Sequence, residues 1–158
     1  MNHIVIDAVD PVVSTSPADT VRVLTEPLET ESMAVNVFDL TPGDTIGYGL
    51  HRHLDQEEVF YVVDGRVTFE TDGDDISVEA GEIIRFAPGE FQLGHNTGDG
   101  RARVFALGAP RDTEEVEYLI DCDVCGERTV QAPEVSEADR TVTIRCTECG
   151  TVTDEMDI

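Results

Sequence analysis

Short apolar runs separated by turn residues dominate the chain between residues 33 and 107. The runs at residues 34–40 and 59–63, for example, are each followed by turn-forming residues that include Gly and Asp. Runs of this length and spacing are typical of β-strands joined as hairpins. In the run at residues 59–63 both sets of alternating residues are apolar, which predicts a strand covered on both faces. The pattern therefore predicts an all-β sandwich or small closed barrel.

The segments on either side of this region differ from it. Residues 1–32 contain three prolines and one short apolar stretch, so we interpret them as an N-terminal arm with an edge strand. We assign residues 33–110 to the barrel. Residues 111–158 then form an acidic connector followed by a small second unit.

Acidic residues far outnumber basic ones. The 158 residues include 34 Asp and Glu against 10 basic residues, all of them arginine, for a net charge of -24. This charge repels phosphate backbones and anionic lipid surfaces, so we expect neither nucleic acid nor a membrane as a partner. The lysine-free composition resembles that of halophilic proteins from salt-loving archaea, in which salt screens the self-repulsion. A hydrophobic share of 40% favours a folded core over a disordered acidic chain.

The N-terminal residues carry no basic region followed by an apolar stretch of signal-peptide length, and no apolar run is long enough to span a membrane. We therefore expect a cytoplasmic protein. In that compartment, four cysteines arranged in two pairs favour metal binding over disulfides.

Two histidines and a glutamate form the first candidate site. Side chains at i and i+2 leave the same face of a strand, so His51 and His53 can converge on one point. Glu58, arriving on the next strand, would complete a set of two histidines and one carboxylate. Such a set suits iron, and also manganese, nickel, copper or zinc. It leaves coordination positions on the metal open. The alternative is that both histidines are half-exposed strand residues that bind no metal.

The spacing of these residues resembles the first sequence motif of the cupin family. His53 is followed by Glu58 after four residues and by Gly65 after six more, as in that motif. The glycine that usually opens the motif has no counterpart at the expected offset, although Gly43, Gly47 and Gly49 are nearby candidates. Glu57 competes with Glu58 for the carboxylate role, but the distance to Gly65 favours Glu58.

A second stretch follows the second cupin motif in spacing. It begins at Gly81 and continues through Gln92 to Asn96, with Ala87 where the family usually has its first proline. Gln92 stands where the family usually has its fourth metal ligand, a histidine. The resemblance covers about half of the chain.

Membership of this family implies an all-β jelly-roll barrel, the double-stranded β-helix. It also implies a divalent metal inside the barrel, held by His51, His53, Glu58 and Gln92, a small-molecule ligand on that metal, and a homodimer. If Gln92 points inward, strand parity places His95 outward, which makes His95 a poor substitute for Gln92 unless a bulge near Gly94 reverses its direction. An amide oxygen is a weak, neutral ligand, so Gln92 either binds the metal or only forms hydrogen bonds in the cavity.

The C-terminal segment carries a second candidate site. Two Cys-x2-Cys-Gly units, separated by twenty residues, contribute Cys122, Cys125, Cys146 and Cys149. Four thiolates at this spacing are typical of a structural zinc site, and strands between the pairs make the unit similar to a zinc ribbon. An iron centre of the rubredoxin type and two disulfide-forming pairs are the alternatives. Because the segment is acidic, a protein partner is favoured over DNA for the ribbon.

These features leave several functions open. The first is a metal-dependent enzyme acting on a small molecule, such as a dioxygenase or an isomerase. The second is a non-catalytic binding protein or sensor, or a scaffold, whose zinc ribbon mediates protein contacts. No catalytic acid, base or nucleophile beyond the metal ligands is identifiable from spacing, and the fold alone does not choose among these functions.

Overall fold

The computed structural model describes residues 1–12, 17–113, 115–136 and 140–157. Apart from a 3-10 turn at Ile6–Ala8 and a short α-helix, α1, at Thr25–Leu28, the regular elements in these residues are strands. In chain order the strands are β1 Thr20–Val23, β2 Ala34–Leu40, β3 Thr45–His53, β4 Glu57–Asp64, β5 Arg66–Glu70, β6 Ile76–Glu79, β7 Ile83–Phe86, β8 Gln92–His95, β9 Ala102–Ala109, β10 Val116–Cys122, β11 Glu127–Ser136, β12 Thr141–Cys146 and β13 Val152–Asp157. Within the described ranges, no helix is long and apolar enough to cross a membrane.

The strands form two antiparallel sheets. The first has the order β1-β2-β9-β4-β7, and the second has the order β13-β12-β11-β10-β3-β8-β5-β6. Several strands that are adjacent in sequence, such as β3 and β4, lie in different sheets, as in a jelly roll. The predicted all-β barrel is therefore confirmed, and so is the predicted edge strand, which is β1.

The main core fills the space between the two sheets. On β9 the alternating residues Ala102, Val104 and Ala106 are buried, as expected for a strand with one face inward. Aromatic rings from both sheets meet at the centre, where the Phe60 and Phe69 centroids are 5.1 Å apart. Burial of this apolar surface is the main driving force for closing the barrel.

Only part of the outer face of the first sheet is covered. The N-terminal arm and α1 pack over β2, so that Leu24, Val35 and Val37 form a second buried cluster. On β4, in contrast, Tyr61 and Val63 are 41% and 43% exposed. The prediction that this strand is covered on both faces is therefore wrong, because the described part of the arm packs over β2 and β9 and not over β4.

The cysteine-bearing strands continue the second sheet of the barrel. β10 pairs with β3, placing Tyr118 opposite His51 and Val116 opposite His53. On the outer face of this sheet, Leu119 of β10 packs against a small apolar cluster formed with β3 and β8, whose buried members are Leu50, Phe91 and Leu93. The strand bearing the two histidines is thus held from both sides, by β8 and by β10.

Candidate metal centre

Local backbone geometry on β3 aims the two histidines into the barrel. The pairing of β3 with β8 is interrupted by an irregularity between Ile46 and His51. Within it, Gly47 has φ +96°, and a Cβ there would lie 2.9 Å from Cε1 of His51. Only glycine fits this position without displacing the imidazole. His53 follows on the same face at i+2, and the two rings are 5.3 Å apart.

Glu58 meets the histidines from the opposite sheet. One nitrogen of each histidine and a carboxylate oxygen of Glu58 all lie within 4.8 Å of one another. Nε2 of His53 is 3.5 Å from Oε2 of Glu58. Glu57, the competing carboxylate, points outward and accepts a hydrogen bond of 2.7 Å from Nε of Arg85. The structure therefore brings together the three residues that the motif spacing selected.

Both imidazoles are held by their Nδ1 atoms. Nδ1 of His51 lies 2.8 Å from the carbonyl oxygen of Gly49, which can only accept, so Nδ1 carries the proton. Nδ1 of His53 lies 3.2 Å from Oγ1 of Thr113, and that hydroxyl donates its own proton to Oδ1 of Asp55 at 2.6 Å. Thr113 therefore accepts from His53. This arrangement leaves the lone pair of each Nε2 atom directed toward the centre, as metal-binding histidines require.

Gln92 lies between two of these residues. Its side chain is buried, and its amide nitrogen donates to Oε2 of Glu58 at 2.8 Å and lies 3.1 Å from Nε2 of His51. Its amide oxygen is buried and has no hydrogen-bond partner in the described part of the chain. His95 lies outside this group, with Nε2 3.5 Å from Oε2 of Glu70. The predicted inward and outward directions of Gln92 and His95 are confirmed.

Burial shifts the protonation of the site. It raises the pKa of Glu58 to about 7, against the opposing effect of the hydrogen bond from Gln92. Burial also lowers the pKa of His53 to about 4, assisted by the neighbouring His51, and it lowers the pKa of His51. The imidazoles are consequently neutral near pH 7, which is the form that binds metal.

A cavity of about 350 Å³ opens beside His51, Glu58 and Gln92. The N-terminal arm and β1 supply part of its wall, and Tyr118 of β10 supplies another part. Sequence reasoning missed Tyr118 and Thr113, because both follow the barrel segment and no local pattern links them to it. The only available signal was the apolar run at residues 116–120, which indicates a strand but not its partner.

The four cysteines also come together. Their sulfur atoms lie within 4.8 Å of one another, with separations of 3.6 Å between Cys122 and Cys149 and 3.8 Å between Cys125 and Cys146. All four are free thiols, since a disulfide would need about 2.05 Å. A hydrogen bond from Thr129, and then backbone amides that include that of Cys149, lower the pKa of Cys146 to about 6.

Known proteins resemble this chain in sequence and in fold. Residues 36–108 match the family model described as "Cupin domain". The oxalate-binding protein of Thermotoga maritima is 33% identical over 60 residues, which is 38% of this chain and 48% of that protein. The chain thus spans about half the length of that curated relative.

Solved structures show the same architecture along most of the chain. A sugar phosphate isomerase of the cupin superfamily from Silicibacter pomeroyi has a TM-score of 0.65 at 18% identity, covering 96% of this chain and 91% of that one. A polyketide cyclase from Streptomyces resistomycificus has a TM-score of 0.66 at 22% identity, covering 78% and 88%. The sequence match over residues 36–108 and these solved structures together support a cupin fold for the barrel.

Proposed function

We propose that the barrel binds one divalent first-row metal ion through His51, His53 and Glu58, and that this ion holds a small-molecule ligand in the adjoining cavity. One observation carries the proposal. Both imidazoles are fixed through Nδ1, so two Nε2 lone pairs and one carboxylate converge at the wall of a cavity. Histidines that only fill a barrel core would not need both Nε2 atoms to face a common point.

Gln92 fits the position of a fourth donor. Among the described residues its buried amide oxygen has no hydrogen-bond partner, and an unpaired group of this kind costs about 1 to 3 kcal/mol in a protein interior. The oxygen and nitrogen of an amide exchange places when the group is turned over. In the turned orientation, the oxygen faces His51 and Glu58, where a cation would satisfy it. The donor set then comprises two nitrogens and two oxygens, which suits iron, manganese, nickel, copper or zinc.

A bound ion of this type supplies Lewis acidity, or a centre for oxygen, to a ligand on its open positions. The residues of the chain hold and orient the ion, while the cavity wall shields it from bulk water. Isomerisation and dioxygenation are the reaction classes that we propose for such a centre. Because Gln92 is a neutral, weaker donor than the usual histidine, ligand binding without turnover is the second candidate.

We also propose that the four cysteines hold a structural zinc ion in a zinc-ribbon-like unit. In a tetrahedral site with Zn–S bonds of about 2.3 Å, the sulfurs are about 3.8 Å apart. The measured separations of 3.6 and 3.8 Å agree with this value. A unit of this size gains much of its folding free energy from the metal. An exposed ribbon surface also leaves room for a protein partner.

Calorimetric titration with Mn²⁺ or Ni²⁺ tests the barrel site, on protein first loaded with a single equivalent of zinc per chain so that the cysteine cluster is filled and the barrel is not. We expect one binding event, weakened at least about a hundredfold by His51→Ala because one of few ligands is lost. His95→Ala is the matched control, since His95 pairs with Glu70 outside the site, and it should leave the affinity unchanged. Equal effects of the two substitutions, or no binding by the unmodified protein, would refute the proposal.

A further inference from the structure

The cavity beside the candidate metal centre contains no arginine or lysine. The chain has no lysine, and all ten arginines lie in the described part of it. Nine of them form ion pairs with Asp or Glu, at N–O distances of 2.5 to 3.2 Å. The tenth, Arg140, precedes β12 in the cysteine-bearing segment. None of the ten lines the cavity.

Because alternate residues of a strand face opposite sides of the sheet, the two arginines nearest the cavity point away from it. Arg22 lies between two cavity-lining valines of β1, but its guanidinium points to the other face and binds Asp39 at 2.7 Å. Arg52 lies between His51 and His53, and its guanidinium lies 4.5 Å from the ring centroid of Phe91 and binds Glu117 at 2.6 Å. For either to reach a ligand, the strand would have to shift by one residue and remove the histidines or valines from the cavity.

Apart from the proposed metal ligand Glu58, the side chains that line the cavity are apolar or neutral. Phe38, Phe60 and Ile46 offer apolar surface, while Tyr48 and Tyr118 offer hydroxyl groups. A phosphate or a second carboxylate placed here would lose its hydration with no cation other than the metal to compensate. The net charge of -24 adds a long-range repulsion for polyanions.

We propose that the cavity selects a ligand that offers chelating oxygens to the metal, carries an apolar body and bears at most one negative charge. The β-diketone or enol class has these properties, whereas phosphorylated sugars and dicarboxylates do not. This selectivity rests on the proposed metal site. The chelating oxygens bind at the ion, and the apolar body lies against Phe38, Ile46 and Phe60.

Three probes test the selectivity on the protein in molar KCl, after loading with a single equivalent of zinc per chain for the cysteine cluster and then with Ni²⁺ for the barrel. Benzoylacetone combines a diketone with a phenyl ring, oxalate is a chelating dicarboxylate, and glucose 6-phosphate is a phosphorylated sugar. After correction for the affinity of each probe for free Ni²⁺, we expect benzoylacetone to bind at least about tenfold more tightly than the other two. Equal or tighter binding of oxalate or glucose 6-phosphate, or no binding of benzoylacetone, overturns the proposal.

Nickel content, measured on the same samples, separates this test from that of the metal site. Protein that takes up no Ni²⁺ refutes the proposed function, and the selectivity with it. Protein that takes up Ni²⁺ but prefers oxalate refutes the selectivity alone.

A positive charge introduced into the cavity should weaken the preference for benzoylacetone over oxalate. Asn36 lines the cavity on β2, so Asn36→Arg supplies the missing cation. We expect the affinity for oxalate to rise about tenfold, through a charge-assisted hydrogen bond. Tyr61→Arg adds the same charge on the exposed outer face of β4 and should leave that affinity unchanged. Equal gains in both variants would show that net charge, and not the cavity wall, sets the preference.

Discussion

Tyr118 lies directly opposite His51 in the antiparallel pair between β10 and β3, and the two rings are 6.0 Å apart. The same strand, β10, ends at Cys122 of the cysteine cluster. One strand therefore contributes both to the wall of the candidate metal centre and to the second candidate metal site. Loss of order at the cysteines should therefore disturb the positions of the histidines.

Disruption of the cysteine cluster should weaken metal binding in the barrel. Cys122→Ser removes one of the four proposed zinc ligands, so the small unit should lose folding free energy and β10 should no longer hold β3 firmly. We expect the dissociation constant for Ni²⁺ at the barrel site to rise about tenfold, as measured by competition with a chromophoric chelator. Val124→Ser, at an exposed position between two cysteines, is the control and should have no effect. Zinc loss without a change in nickel affinity would argue against the coupling.

Thr113 should act as a positioning residue for His53. Its hydroxyl accepts from Nδ1 of His53 and donates to Asp55, so Thr113→Val breaks the chain that fixes the ring. Loss of such a supporting hydrogen bond typically costs 10- to 100-fold in metal affinity, and we expect a loss of about tenfold by calorimetry. Thr113→Ser keeps the hydroxyl and should restore the affinity. If serine and valine weaken binding equally, the hydroxyl has no positioning role.

Substitution of Gln92 should distinguish a ligand from a hydrogen-bonding residue. If its amide oxygen binds the metal, Gln92→Leu should weaken Mn²⁺ binding about tenfold, and Gln92→His, which supplies the usual ligand type, should strengthen it. If Gln92 serves only as a donor to Glu58, then Gln92→Leu removes a competitor of the metal and binding should not weaken. Calorimetric titration of both variants separates the two roles.

Metal affinity at the barrel should fall as the pH falls below 7. The pKa of Glu58 in the metal-free protein is about 7, so below that pH a proton competes with the metal for its carboxylate. One displaced proton predicts a loss of about tenfold per pH unit between pH 7 and pH 5. His53, with a pKa of about 4, stays neutral in this range and adds nothing to the slope. Glu58→Gln should bind more weakly but without this pH dependence.

The same shifts affect the stability of the metal-free protein in opposite directions. Glu58 has a raised pKa, so the stability linked to it is full below its ordinary value of 4.5 and is lost as the pH rises through about 7. His53 has a lowered pKa, so its contribution is lost as the pH falls from 6.5 through about 4. Because the two effects oppose each other over much of this range, metal affinity is the cleaner measurement. An affinity that does not change between pH 7 and pH 5 would contradict the protonation of Glu58.

The sequence was sufficient to predict the barrel and the three converging residues, because both depend on short-range regularities. The two-residue period of a strand placed His51 and His53 on one face and separated Gln92 from His95. The contribution of β10 could not be predicted in this way. Arg52 and Glu117, which pair across β3 and β10, are 65 residues apart, and no local pattern selects one strand as the partner of another.

The role of Thr113 was missed, and Gly47 was only one of three candidate glycines, for related physical reasons. Thr113 lies in an acidic connector whose composition indicates only solvent exposure, yet its hydroxyl reaches His53. The irregularity around Gly47 depends on how β3 pairs with β8, and a glycine in a strand does not by itself reveal such a distortion.

Elemental analysis of the protein purified in high salt is the most direct test of a metal-binding barrel joined to a zinc unit. The account predicts two metal equivalents per chain, one of them zinc. Replacing His51 and His53 together by alanine should remove one equivalent and leave the zinc, whereas replacing Cys122 and Cys146 by serine should remove the zinc. A single equivalent that survives the histidine substitutions would contradict the barrel site.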